Sequence, residues 1–363
     1  MKVVIAPDSF QGSLASHRVA EAIGTGWKSV RANDDVISLP LADGGEGTLD
    51  VIRSILGGEL ISTRAQNPIG ATTDTHWLLL SDGTAIIEMA LINGLNMLEQ
   101  LQPLRSHTQG LGELIREAAL DSRCKKIVIA LGGSATSDGG MGALYSLGAK
   151  FLLNSGGNCE PTLFNITEIE QVDLESLLDI NQPIQLLVDV TNPLLGDLGA
   201  AKIFSPQKGA TSEDVEFIEI GLSHFCHLIS GDPRAKGMGA AGGTAMGLST
   251  GLNAEIVSGA EMLMQLSRVR ENLIDADVLI TGEGRLDSQS LNGKLLSHLL
   301  HLSADLEVKT CAVVGQLQPC AHSFDEVEIL ADLAPSQEAA MANPEKYLHL
   351  AGQRLAESIG ASD

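Results

Sequence analysis

Five short stretches rich in glycine and carboxylates recur along this chain, at residues 7–13, 43–48, 132–140, 189–196 and 282–294, and each follows an apolar run of strand length. The clearest is Ile127-Val128-Ile129-Ala130, which feeds directly into Gly132-Gly133-Ser134-Ala135-Thr136-Ser137-Asp138-Gly139-Gly140. Strands that end in polar loops and lead into helices predict parallel sheets with helices on their faces. In such sheets ligands bind at the loops past the carboxyl ends of the strands. Glycine there lets backbone N–H groups approach an anion closely.

The N-terminal quarter reads β-α-β-α. A strand is expected at 3–6, then a helix with Val19, Ala20, Ile23, Trp27 and Val30 on one face, a strand at 36–39, and a helix from about Thr48. The middle differs. Residues 75–80 and 85–89 flank Ser81-Asp82-Gly83 and read as an antiparallel hairpin. Further strands are expected at 126–131 and 184–188, a helix at 212–230, and a close-approach loop at the glycine-rich 237–243. The C-terminus returns to β-α-β, with a strand at 277–280, a loop at 281–287, a helix at about 289–301 and a strand at 310–314. The expected fold class is therefore α/β with two α/β domains. Residues 1–70 and 275–363 would form a discontinuous Rossmann/flavodoxin-like parallel-sheet domain, and 71–274 an inserted mixed α/β domain.

Charge narrows the partners. A formal net charge of −23 argues against nucleic acid or an anionic membrane surface. No segment reaches the roughly 18 uncharged apolar residues of a membrane span, and the N-terminal apolar run is short for a signal peptide. Five cysteines without CxxC spacing fit a reducing cytoplasm better than a disulfide framework or a zinc site.

The polar loops hold Asp8, Asp43, Glu46, Asp138, Asp189, Glu283 and Asp287 but no histidine, which speaks against Ser-His or Cys-His nucleophilic catalysis. Hard oxygen ligands beside glycine loops suit Mg²⁺ with phosphate. Phosphoryl transfer needs mainly positioning, charge neutralisation and one carboxylate to take the acceptor proton. Plainer readings stand beside this one. Asp8 and Asp43 could cap helices, Asp189-Val190-Thr191-Asn192-Pro193 could be an Asx-Pro turn, and Glu283, Arg285 and Asp287 could form a solvated ion cluster. His224, Cys226 and His227, and His298 with His301, read as ordinary helix residues rather than metal ligands. Both the GxxxxGK[ST] phosphate loop and a GxGxxG after the first strand are absent.

Taken together, the loops resemble those of the bacterial glycerate kinase family, type I. The matching segments are Ala6-Pro7-Asp8-Ser9-Phe10, Pro40-Leu41-Ala42-Asp43-Gly44-Gly45-Glu46-Gly47-Thr48, Gly132-Gly133-Ser134-Ala135-Thr136 and Asp138-Gly139-Gly140. They continue in order with Asp189–Leu194, Pro206-Gln207-Lys208-Gly209-Ala210, Gly239-Ala240-Ala241-Gly242-Gly243, and 281–290 with Gly293-Lys294 behind it. Gln11 departs from the lysine usual in the family, Ser137 from its frequent asparagine, and 107–112 is a looser version of a threonine-rich segment.

The resemblance implies ATP-dependent phosphorylation of D-glycerate, in many members at the 2-hydroxyl, in an interdomain cleft. ATP and Mg²⁺ would be the cofactors; the expected setting, from the cysteines, is cytoplasmic, and the expected state, left open between the two, is a monomer or homodimer. On that basis Asp189, Asp43 and Asp287 are the catalytic candidates, with Asp189 favoured as base. Asp8, Ser9, Lys208, Arg285 and Asn192 would bind substrate, with Arg285 or Lys208 facing its carboxylate. Gly132, Gly133, Ser134, Ala135, Thr136, Asp138, Gly282, Glu283, Gly284 and Lys294 would hold ATP, and Asp189, Asp43 and Glu283 the metal. The rivals are a kinase for another small hydroxy acid and a sensor that binds without turnover, which Gln11 keeps in view.

Overall fold

In the computed structural model, residues 1–10, 13–287 and 295–360 are described. Gln11 and Lys294 lie outside the described residues, as does most of the expected 282–294 loop and the start of its helix. Two compact units form: Met1–Asp43, Asp50–Ile55 and Gly259–Asp363 make the first, Gly44–Leu49 and Leu56–Ser258 the second.

The first unit holds a five-stranded sheet in the order Asp35–Ser38, Lys2–Ile5, Val278–Leu286, Lys309–Leu317, Glu326–Ile329, with every neighbouring pair parallel. Counted within the unit, this is the 2-1-3-4-5 order of flavodoxin-like folds. Val3, Val4 and Ile5 and their partners Val278, Leu279 and Ile280 are fully buried, the continuous apolar signature of strands covered on both faces. The helix Ser16–Val30 buries Val19, Ala20, Ile23 and Trp27 as expected, while Val30, its last residue, stays exposed. Against it packs the helix Pro344–Gly360. The two helices meet through glycine: a Cβ on Gly26 would lie 2.0 Å from the His349 carbonyl oxygen, and one on Gly352 2.3 Å from that of Ile23.

One expectation is corrected here. Residues 281–286 are strand, not loop, because Val278–Leu286 stays paired with Lys309–Leu317 as far as Leu286↔Leu317. The glycines serve close strand pairing. A Cβ on Gly282 would sit 2.1 Å from the Val313 oxygen, and one on Gly315 2.4 Å from that of Gly284.

The second unit carries a six-stranded sheet in the order Glu255–Val257, Ile184–Leu187, Lys126–Ala130, Thr84–Glu88, Thr72–Leu79, Glu59–Gln66. The expected hairpin is present as Thr72–Leu79 and Thr84–Glu88, with Asp82 Oδ1 accepting from Thr84 N–H at 2.8 Å and Gly83 at φ +92. The first four strands of that order are parallel, and Glu88, Ala130, Leu187 and Val257 stand side by side in register. Their carboxyl ends therefore open on one edge. The edge strand Glu59–Gln66 and a small sheet of Lys150–Leu153, Asn158–Cys159 and Ile169–Asp173 complete the unit. The helix Ser212–Leu228 starts at a capping box in which Thr211 and Asp214 exchange side-chain-to-backbone hydrogen bonds.

Candidate functional site

In the second unit, the aligned strand ends lead into the loops that hold 132–138, Asp189 and Asn192. After Lys126–Ala130 the chain turns through Gly132 and Gly133, both half-buried, the latter at φ +74. Gly132 N–H donates to the Gly44 carbonyl at 3.1 Å, and a Cβ on Gly132 would come within 2.4 Å of Gly45 Cα. Only glycine permits that approach. The Gly44–Leu49 segment is held in turn by Glu88, whose buried carboxylate accepts from Gly47 N–H and Leu49 N–H, each at 2.9 Å. The loop's far side is stitched down by Ala135 N–H to the Asn93 carbonyl at 2.8 Å and Gly139 N–H to that of Gly242 at 3.0 Å. Among the described residues, the N–H groups of half-buried Gly133 and buried Ser134 meet no acceptor, which leaves two backbone donors on the loop.

Asp138 has a structural position. Its buried carboxylate accepts from Thr108 N–H and Thr108 Oγ1, both at 2.8 Å, from Gly142 N–H at 3.1 Å and from Gly140 N–H at 3.2 Å. Four donors from the protein engage most of the lone pairs a carboxylate offers. Lys208 is likewise internal at 2% exposure. Its Nζ donates to Ser134 Oγ at 3.1 Å and to the Thr136 carbonyl. Burial pushes this ammonium down to about 7, with the Asp138 carboxylate acting the other way. Thr136 Oγ1 is buried without a hydrogen-bond partner among the described residues.

Past the next strand, half-buried Asp189 accepts from Ser258 Oγ at 2.7 Å, a pairing that follows from the adjacent ends of Ile184–Leu187 and Glu255–Val257. Asn192 turns inward on its own loop, its Nδ2 donating to the Leu198 carbonyl at 2.8 Å and its carbonyl accepting from Gly239 N–H at 3.0 Å. The 237–243 stretch is a close-approach segment as expected, though its last four residues form a 3-10 turn. Gly242, at φ +64, would place a Cβ 2.1 Å from the Thr136 oxygen.

In the first unit, the reversal of strand order falls between Lys2–Ile5 and Val278–Leu286. Asp8 N–H donates to the Gly282 carbonyl at 2.9 Å, and Thr281 Oγ1 to that of Ala6 at 2.8 Å. Asp8 Oδ1 accepts from Ser9 N–H at 2.6 Å. Glu283 and Arg285 share one side of the strand and Asp287 follows just past its end, where Arg285 Nε lies 3.5 Å from Asp287 Oδ2 and Arg285 is exposed. Asp43 is half-buried at the end of this unit's N-terminal segment.

Glu88, Asn93 and Ser258 support the site without having been singled out, and Thr108 does so from the 107–112 segment, which the sequence marks only as a loose match to the family. Of the three unflagged residues, Glu88 had a visible signal, a carboxylate ending the apolar run Ala85-Ile86-Ile87. His224 Nε2 lies 2.8 Å from the Ile169 carbonyl and His301 Nδ1 2.7 Å from that of Ser297.

Comparison with known proteins gives this arrangement its context. The model of the glycerate kinase family matches residues 3–360. A glycerate kinase of Bacillus subtilis (strain 168) is 35% identical, covering 99% of this chain and 98% of its own length. One from Haemophilus influenzae is 39% identical over 88% and 86%, and the glycerate 2-kinase of Escherichia coli (strain K12) 36% identical over 87% and 86%. A crystal structure from Salmonella typhimurium LT2, provisionally named glycerate kinase 2, superposes with a TM-score of 0.78 at 34% identity, covering 100% of this chain and 99% of that one. The chain belongs to the glycerate kinase family and is an ATP-dependent kinase.

Proposed function

We propose that this enzyme transfers the γ-phosphoryl group of ATP to the 2-hydroxyl of D-glycerate, with Mg²⁺ assisting, and yields 2-phosphoglycerate. The observation that carries the reading is kinship along nearly the whole chain to proteins named glycerate kinase, one of them a glycerate 2-kinase. The second unit supplies suitable chemistry. The N–H groups of Gly133 and Ser134 would donate to phosphate oxygens, and the buried Lys208 adds positive potential behind them.

In the transfer, the bond from the glycerate oxygen to phosphorus forms as the bond from phosphorus to the bridging oxygen of ATP breaks, and ADP leaves. The hydroxyl proton passes to a carboxylate, for which Asp189, oriented by Ser258, is the proposed acceptor. Exposed Arg285 is the proposed cation for the substrate carboxylate. Asp8 and Ser9 are proposed to line the substrate, and Asp43 and Asp287 to orient the reacting groups.

Among the described residues no three or more His, Cys, Asp or Glu side chains gather as a metal cage. Mg²⁺ is commonly held by one or two carboxylates and phosphate oxygens. Asp43, Asp189 and Glu283 are the candidates, and the ion when bound would neutralise charge on the β- and γ-phosphates. A cytoplasmic setting suits the five unpaired cysteines. No helix among the described residues is long and apolar enough to cross a membrane.

The test is ATP consumption with D-glycerate, L-glycerate, lactate and tartrate, with phosphorus NMR of the product. Turnover with D-glycerate alone and phosphate on the 2-hydroxyl is expected. A 3-phosphate overturns the regiochemistry, and preference for another acid overturns the substrate. Asp189→Asn is expected to lower kcat by about 10²–10⁴-fold, and unchanged kcat in a stable protein removes Asp189 as base.

A further inference from the structure

We propose that Lys208 is a positioning residue: it holds the Ser134 hydroxyl so that its proton points outward to an anionic oxygen, without itself touching the bound molecule. This rests on the reading that the 132–140 loop binds phosphate.

Exposure decides the indirect role. At 2% accessibility the lysine lies inside the second unit, and its Nζ meets Ser134 Oγ and the Thr136 carbonyl. A hydroxyl has one proton to give and two lone pairs to receive. Lys208 occupies a lone pair of Ser134, and no other group among the described residues bonds that hydroxyl. The Ser134 proton is therefore left to donate, beside the N–H groups of Gly133 and Ser134 that also lack acceptors. The loop thus carries three donors without a protein acceptor among the described residues, next to half-buried Gly132 and Gly133.

The lysine is fixed from its own side. It ends the 3-10 turn Pro206–Lys208, which Gly209 closes at φ +92. Ser205, just before that turn, lies with its Oγ 3.2 Å from Ser137 Oγ, so the turn grips the same loop at a second point. Asp138 is the charged group that acts on the ammonium, and burial opposes it. As the amine loses its proton, it gains a lone pair that competes for the Ser134 proton, and the outward donor is weakened.

The test is a double-mutant cycle read by calorimetric binding of ATP with Mg²⁺ and, separately, of D-glycerate. Ser134→Ala and Lys208→Met are each expected to weaken ATP binding about tenfold. The double variant should bind no more weakly than Lys208→Met alone, with D-glycerate binding unchanged in all. Additive losses, or wild-type ATP affinity in Lys208→Met, overturn the proposal. A coupled loss that falls on D-glycerate instead keeps the role of Lys208 and overturns the phosphate reading of the loop. No change for either ligand in any variant overturns both.

Should Lys208→Met fail to fold, the wild type and Ser134→Ala suffice. Wild-type ATP affinity is expected to fall as pH rises through about 7, beyond the slope in Ser134→Ala, which carries ATP's own protonation as a common background. Parallel profiles overturn the proposal.

Discussion

At the scale of the residue, the site is held by buried polar groups that answer one another. Glu88 is the plainest case, since both carboxylate oxygens receive backbone N–H groups from the Gly44–Leu49 segment. In Glu88→Gln one oxygen becomes an NH₂ that cannot accept, so one backbone donor loses its acceptor. A stability loss of about 1–3 kcal/mol is expected, measurable by urea unfolding. A loss within error would mean that water or a rearranged side chain replaces the bond. The glycines and carboxylates of these loops were legible in the sequence because turn and anion-binding chemistry is local. Lys208 was visible only as a cation, since its burial arises from contacts with Ser134 and Thr136, more than 70 positions away. Asp138 was likewise visible as a loop carboxylate, but its engagement by Thr108 and Gly142 was not.

At the scale of the element, glycines decide how closely segments approach. Gly242→Ala combines a left-handed φ with a Cβ 2.1 Å from a backbone oxygen, so a loss of about 3 kcal/mol or more is expected. Gly156→Ala shares the positive φ but meets nothing within 4 Å, and about 1–2 kcal/mol is expected from the backbone alone. Equal losses in urea titrations of the two variants would refute the steric account. The same distinction explains where sequence reading stopped. Buried parallel strands were legible from continuous apolar runs such as Val3-Val4-Ile5, and the hairpin from Asp82-Gly83. Thr281-Gly282-Glu283-Gly284 looked like a loop because glycine usually marks one, whereas here it admits neighbouring backbone. The strand Glu59–Gln66 gives little apolar signal, with only Ala65 buried along it.

At the scale of the whole molecule, the first unit depends on charges as well as on its core. Burial raises the Asp34 carboxyl, but hydrogen bonds from the Met1 amino group, Arg31 and Trp27 outweigh it and hold the pKa at about 2, below the ordinary 3.8. A depressed folded-state pKa gives stability that is complete above the unfolded value and is lost as pH falls through the folded one. Thermal melts should therefore show wild type losing stability between about pH 4 and 2 more steeply than Asp34→Asn. Matching slopes would assign the acid sensitivity to other carboxylates.

The strand order of this unit also sets a schedule. Lys2–Ile5 finds one neighbour in Asp35–Ser38 but the other only in Val278–Leu286. At synthesis rates of about 5–20 residues per second, that second neighbour leaves the ribosome on the order of 15–55 seconds after the first strand. Throughout that interval the edge of Val3-Val4-Ile5 waits without its second partner, and by its end every strand of the other sheet has been made. A nascent chain halted just before residue 278 holds two of the five strands of this sheet, and the edge that pairs with Val278–Leu286 is then open to the wrong strand.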